Sequence, residues 1–364
     1  MEHTLYHSID DMTKPETLSE LVGQTIDKTC LIPIEPSGWS STDSSFLSVD
    51  DCRVAKPGYI LKRMRRDYDW VMQATSDHNW RAISVWQYGL LDLLPEKIDH
   101  GIIGCTVDND GYAILMRNVA DTLLRDDIPI SVDEHKFILE SMATFHATFW
   151  QNGELQNAKY NLCKPEDIFS HTSPSKARKM RKNIPSIVLE FIIDGHRQLP
   201  NFVETSLAEI LHNLVLDPTL LCQKISCFPH TLIHSDIRRA NLGIERGGRP
   251  NLVILDWTRP TVTVPGVDLV YYLFTNFLAH MPISIQDSIE FYRRHLARRL
   301  GNRFSENWWK PQLELSILGI FAMMGCFNAY FAVNAESKDE RRHHRENLEF
   351  WSGRAIKGVE LLMQ

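Results

Sequence analysis

The chain has 364 residues, 43% of them hydrophobic and 23% charged, with 46 acids against 39 lysines and arginines for a net charge of −7. At ~100–200 residues per domain the length suggests two domains or two lobes. The apolar share excludes a disordered chain, and the acidic balance argues against a general nucleic-acid binder, which presents a basic domain. The seven cysteines (Cys30, Cys52, Cys105, Cys163, Cys222, Cys227 and Cys326) are scattered, odd in number and without a CxxC pair. That pattern speaks against a disulfide framework or a structural zinc site and for a reducing, cytoplasmic compartment. The opening MEHTLYHSIDDM carries acids and histidines where a signal peptide needs an apolar run.

In chain order, residues 1–28 are helix-like, with an apolar stripe at Leu18, Leu21 and Ile26. Short runs with strand character follow at 30–34, 45–49 and 59–64. A helix is predicted over 77–93, where Trp80, Ile83, Trp86, Leu90 and Leu94 recur at helical intervals. Strands at 101–107 and 112–116 flank Asp108-Asn109-Asp110-Gly111, whose Asp-Gly ending signals a hairpin. Together these make a small β-rich lobe, residues 1–117.

Residues 118–364 form a large helical lobe. Ser131 and Glu134 have the spacing of a capping box and open a helix with Ile138, Met142, Phe145 and Phe149 on its apolar face. Further helices are predicted near 176–194, 201–216, 284–300, 308–335 and 340–363. Residues 315–333 contain no charge and approach the length of a membrane span, but Lys310, Glu314, Ser316 and Asn328 favour a buried helix over an anchor. The basic run from Lys176 to Lys182 reads as a solvated helix face. His343-His344 lacks metal-ligand spacing with an acid or Cys.

A strand-rich island, residues 231–257, interrupts the helices. Apolar runs at 241–244 and 252–255 flank Arg246-Gly247-Gly248-Arg249-Pro250-Asn251, a hairpin whose expected centre sets Asn241 opposite Asp256, ~5 Å apart at Cβ. An amide oxygen and a carboxylate at the mouth of a hairpin suit a hard cation such as Mg²⁺. Asp236 lies in the loop leading to Asn241 and can face the same point.

Asp-x-x-x-x-Asn followed by Asp is the spacing of a kinase catalytic loop and metal-binding aspartate. More closely, His234-Ser235-Asp236-Ile237-Arg238-Arg239-Ala240-Asn241 and Leu255-Asp256-Trp257 resemble the aminoglycoside phosphotransferase and choline kinase-like superfamily, where Gly is usual in place of Ser235. Gly38-Trp39-Ser40-Ser41-Thr42 resembles that family's nucleotide loop, Lys62 its phosphate-binding lysine, AILMRNV (113–119, with Met116 and Asn118) its hinge, and Asp268 its structural aspartate. The resemblance covers roughly residues 30–275. It implies a bilobal α+β, protein-kinase-like fold and an ATP- and Mg²⁺-dependent transfer of phosphate to a small-molecule hydroxyl, with no nucleic acid or membrane as partner. Asp236 would act as the base, accepting or orienting the proton of the acceptor hydroxyl, Arg238 would add charge near the γ-phosphate, and Asn241 and Asp256 would hold the metal. The oligomeric state is not readable.

Two features qualify the acceptor and the activity. Trp308, Trp309, Tyr330 and Trp351 fall where choline kinase-like relatives bind a quaternary ammonium, although core packing is the commoner use of such residues. Between 280 and 364, 10 acids face 12 lysines and arginines, which gives no support to a polycationic acceptor. The family's glutamate partner for the lysine falls on Ala82. Asp77 or another acid then pairs with Lys62, or the helix is displaced, or the protein is a catalytically silent nucleotide- or metabolite-binding relative.

Overall fold

The computed structural model describes residues 2–34, 45–50, 58–125, 128–246, 250–276 and 280–364. Its small lobe is an antiparallel sheet in the order β1-β2-β3-β6-β5, built from β1 (Cys30–Ile34), β2 (Ser45–Asp50), β3 (Tyr59–Met64), β5 (Ile102–Asp108) and β6 (Gly111–Arg117). Strand alternation sorts the side chains. Tyr59 and Leu61 of β3 join Ala113 and Leu115 of β6 against Met12 and Leu18, from α1 (Ile9–Thr13) and α2 (Pro15–Val22). Lys62, paired in register with Ile114, falls on the opposite face. The short β4 (Ile98–Asp99) belongs to another sheet, running parallel to β9 (Asn251–Ile254) beside β8 (Leu242–Glu245).

The predicted helix over 77–93 is shorter. Trp80 adopts a left-handed backbone (φ 55°) and Gly89 another (φ 70°), so α4 runs only from Arg81–Gln87. A separate helix, α3 (Trp70–Ala74), precedes it and carries no amphipathic stripe long enough to read from the sequence. The prediction over 176–194 likewise divides into α7 (Pro174–Met180) and α8 (Ile187–Gln198), because Pro185 bars its predecessor from the helical region. The capping box forms as expected at the start of α5 (Val132–Thr148), with Ser131 and Glu134 each accepting from the other's backbone N–H. The remaining helices of the large lobe are α6 (Pro165–Ser170), α9 (Thr205–Leu216), α10 (Thr219–Ile225), α11 (Gly266–Phe274), α12 (Ile285–Leu300), α13 (Glu306–Asn334) and α14 (Lys338–Met363).

Helix α13 contains the uncharged run. It is long and apolar enough to cross a membrane, yet 72% of its most apolar window is buried inside the protein. Its neighbours approach closely through glycine: a Cβ on Gly195 of α8 would sit 1.9 Å from the Cys326 carbonyl oxygen, and one on Gly358 of α14 would sit 2.5 Å from that of Glu314. Trp309 and Trp351 are buried in this core, and Tyr330 packs on Phe191. Among the described residues, Cys30 is disulfide-bonded, contrary to the expectation of reduced cysteines, while Cys105, Cys163, Cys222, Cys227 and Cys326 are free thiols. Disulfides answer to proximity in space, which spacing along the chain does not report.

The α8–α13 contact yields a stability prediction. Gly195→Ala forces a methyl into the Cys326 backbone and should cost at least about 1–3 kcal/mol, read as a lowered unfolding midpoint. An unchanged midpoint would mean that the two helices can separate freely.

Candidate active site

Strand β7 (Thr231–Ile233) pairs with β10 (Thr261–Thr263), and the two loops that follow β7 and β9 converge beside this pair. The first loop is shaped by a buried carboxylate. Asp268, at the start of α11 and fully enclosed, accepts from the His234 N–H (2.8 Å) and the Ser235 N–H (2.7 Å). Ser235 is thereby held at φ 67°, a left-handed conformation that glycine adopts freely and serine does not. The Ser235 hydroxyl is buried with no hydrogen-bond partner. Asp236 follows, its N–H donating to His234 Nδ1 (3.2 Å) and its carbonyl accepting from Asn241 Nδ2 (3.0 Å). That bond uses the nitrogen of the Asn241 amide and leaves its oxygen as a hard ligand.

The hairpin register differs from prediction. β8 and β9 pair Leu242 with Ile254 and Glu245 with Asn251, so Asn241 lies opposite Leu255, whose N–H donates to the Asn241 carbonyl (2.9 Å). Asp256 comes one residue later. A one-residue offset would normally turn a side chain to the other face, but Asp256 leaves the strand at φ 66°, and its carboxylate meets Lys62 Nζ at 3.3 Å. Burial raises the Asp256 carboxyl, but Lys62 together with Arg238 and His234 outweighs it, so it stays below the ordinary range.

Lys62 therefore has an acid partner without a glutamate at position 82. Ala82 is buried in the apolar cluster with Ile83, Val85 and Trp86. Asp77 does not replace the glutamate either: it accepts from the Arg81 N–H (2.9 Å) and from Asn161 Nδ2 (3.1 Å). A second carboxylate near Lys62 was not anticipated. Asp69 caps α3 by accepting from the Met72 N–H (2.9 Å), and it feels both Lys62 and Asp256. Burial is the main cause that lifts its pKa to about 6, and the Met72 N–H and Lys62 oppose it.

Asp236 is held by cations. Arg259 Nη2 lies 2.7 Å from Asp236 Oδ1, Arg238 Nε lies 3.5 Å away, and the Tyr271 hydroxyl donates to the same oxygen at 2.7 Å. Burial raises the Asp236 carboxyl, but these groups outweigh it and hold it at about 2. Arg259 is buried and also donates to His171 Nε2 (2.7 Å). Burial, followed by the adjacent guanidinium, keeps His171 neutral, with a pKa of about 3. Arg81 ties the lobes together by donating to the Thr258 carbonyl (3.0 Å) and the Asn161 carbonyl (2.8 Å). Sequence reasoning missed Asp69, Arg81 and Arg259. The available signal was a lone charge inside an apolar run, as in LVILDWTRPTVTV, because a buried charge requires a partner.

At the hinge, Met116 is the penultimate residue of β6, opposite Ile60, and the Asn118 N–H donates to the Gly58 carbonyl (2.8 Å). Arg117 between them bonds Asp99 (2.6 Å) and Glu245 (2.8 Å), joining the sheet to the β4-β9-β8 unit. Gly38, Ser40, Ser41 and Thr42 lie outside the described residues. Among the described residues no group of three or more His, Cys, Asp or Glu side chains can hold a metal alone. The Asn241 amide oxygen and the Asp256 carboxylate fit a Mg²⁺ that completes its shell with phosphate and water oxygens. A cavity of about 480 Å³ between α12, α13 and α14 is lined by none of these residues.

A five-stranded antiparallel lobe, a hinge, and a helical lobe bearing two convergent loops define a kinase-like phosphotransferase fold. Residues 122–302 match the ecdysteroid kinase-like family. The structure is similar to that of a microcompartment-associated aminopropanol kinase, with 14% identity, a TM-score of 0.54, and 95% of this chain and 98% of that one covered. It is also similar to choline kinase from Cryptosporidium parvum, with 12% identity, a TM-score of 0.50, and 91% and 90% covered. No curated protein matches the sequence. The chain thus has the fold of the protein-kinase-like phosphotransferases.

Two predictions follow from the loop geometry. Ser235→Gly relieves a left-handed serine and removes an unpartnered buried hydroxyl, so it should stabilise the protein by about 1 kcal/mol, seen as a higher unfolding midpoint in denaturant. For Asp69, the folded pKa of about 6 exceeds the unfolded 3.8, so the folded state binds more protons between those values and stability falls as pH rises through them. Asp69→Asn should flatten that fall, which amounts to up to about 3 kcal/mol, in unfolding titrations from pH 4 to pH 7.

Proposed function

We propose that the protein transfers the γ-phosphate of Mg²⁺-ATP to a hydroxyl of a small molecule. The observation that carries this is that Lys62 of the small lobe pairs with Asp256 of the large one, directly after Leu255, whose N–H donates to Asn241, while Asn241 Nδ2 donates to the Asp236 carbonyl. The acceptor oxygen bonds to the γ-phosphorus while the bond from that phosphorus to ADP breaks, and the hydroxyl proton leaves past Asp236 to solvent. Mg²⁺, held by Asn241 and Asp256, would supply charge neutralisation at the phosphates.

In this reading Lys62 exchanges its contact with Asp256 for the phosphates. Asp236, held at about 2, is a weak base. Its contribution is to orient the hydroxyl through the oxygen that its cations leave free. The proton is surrendered late, as the new P–O bond forms. That suits a loose transition state, in which positioning and charge neutralisation carry most of the catalysis.

Asp256→Ala should abolish Mg²⁺-dependent ATP binding with the fold retained, whereas Asp236→Asn should keep binding and lose at least about a hundredfold in turnover. Titration calorimetry and ADP release against a panel of alcohols separate the two. Wild-type turnover in the Asp236 variant would remove its assigned role. ATP binding without consumption across the panel would favour the silent relative.

A further inference from the structure

The charge around Asp236 bears on which alcohol can be the acceptor. Its Oδ1 is saturated by Arg259, Tyr271 and Arg238. Arg259 is locked in turn by His171 on its other side and by the face of Tyr271, 5.8 Å from the ring centroid. The side chain of Arg238 is 29% exposed, so its charge reaches the cleft. The carboxylate that would meet the acceptor thus carries no surplus negative charge.

Among the described residues, the other buried carboxylates are also engaged. Asp69 accepts from the Met72 N–H, Asp77 is bonded by the Arg81 and Asn161 donors, Asp108 by Arg63, and Asp268 by the two loop N–H groups. Trp309 and Trp351, two of the rings that the sequence offered to an ammonium, are spent in the core. Nothing among these groups compensates an ammonium for the loss of its water, and a guanidinium several ångströms away repels it.

Building on the phosphotransferase reading, we propose that the acceptor is a neutral or anionic alcohol, a diol, polyol or hydroxy acid, and that Arg259 is the residue that excludes amino alcohols with the ammonium within a few bonds of the reacting hydroxyl. This separates the chain from the aminopropanol and choline kinases whose fold it shares.

The test uses matched trios of acceptors that differ only in charge: 1-amino-2-propanol, 1,2-propanediol and lactate, then glucosamine, glucose and gluconate. Each is given to the wild-type protein with Mg²⁺-ATP, and the initial rate of ADP release is recorded. The ammonium member should react at least about tenfold more slowly than its neutral counterpart. In Arg259→Gln, the ratio of ammonium to neutral rates should rise by about tenfold or more, and Arg259→Lys should retain the wild-type ratio. Stabilisation of each variant by Mg²⁺-ATP reports that it is folded, and the wild-type comparison stands alone if the Gln variant is not. An ammonium member that reacts as fast as its partner, or a ratio unmoved by Arg259→Gln in a folded variant, overturns the proposal. So does Mg²⁺-ATP binding with no member of either trio phosphorylated, which leaves nucleotide binding intact. Absence of any Mg²⁺-ATP effect, on stability or on turnover, instead overturns the phosphotransferase reading beneath it.

Discussion

The Asp268 carboxylate is the fixed point from which the cleft is built. With no exposure to solvent, it takes the N–H groups of two successive residues, His234 and Ser235, and a further contact at 3.2 Å from His146. Those bonds hold the backbone in a turn that it would not otherwise keep and deliver Asp236 to its position. Since α11, which bears Asp268, packs on the long buried α13, the loop is referenced to the buried centre of the helical lobe. The positive φ at Ser235 and Asp256 costs energy that this surrounding structure supplies.

From that point the site is assembled by opposite charges. Asp236 is fixed by two guanidiniums and a phenol, and Asp256 by Lys62. Arg81 reaches from the small lobe to the Thr258 carbonyl, two residues past Asp256. Breaking one partner of such a buried pair costs far more than the pair itself contributes. The arrangement therefore specifies geometry more than it adds stability. It also makes Asp236 a poor proton acceptor and a good anchor.

Much of this was legible in the sequence, and the reasons differ by element. The strands of the small lobe and the hairpin carry period-two patterns bounded by turn residues, and the capping box at Ser131 is a local motif. These depend on neighbours in sequence. The helix boundaries failed at Trp80, Gly89 and Pro185, where the apolar periodicity continues through a break in the backbone. The hairpin was found, but its register was one residue out, because symmetry about a turn does not report where the last ladder bond falls. The Asp-x-x-x-x-Asn spacing followed by Asp drew attention to Asp236, Asn241 and Asp256. It did not show Arg259, Arg81 or Asp69, whose importance lies in partners that only the fold brings near.

Helix α3 lies far ahead of the Asp236 loop in sequence, yet Trp70, Val71 and Ala74 are buried with Ala177, Ile184, Val188 and Leu189 of the large lobe. Trp70 stacks on His171, 5.9 Å between centroids, and His171 accepts from the guanidinium that holds Asp236. Mechanically, then, the chain is cut in a different place from where its composition changes. The sheet with α1 and α2 is one body, and α3, though it follows β3 directly, travels with the other. Relative movement of the lobes must then be absorbed at three crossings: between Met64 and Trp70, where the chain returns to the sheet before β5, and at the hinge after β6. Conversely, the α7–α8 seam is joined to the Asp236 carboxylate by one continuous chain of contacts: the Trp70 indole, the His171 imidazole and the Arg259 guanidinium.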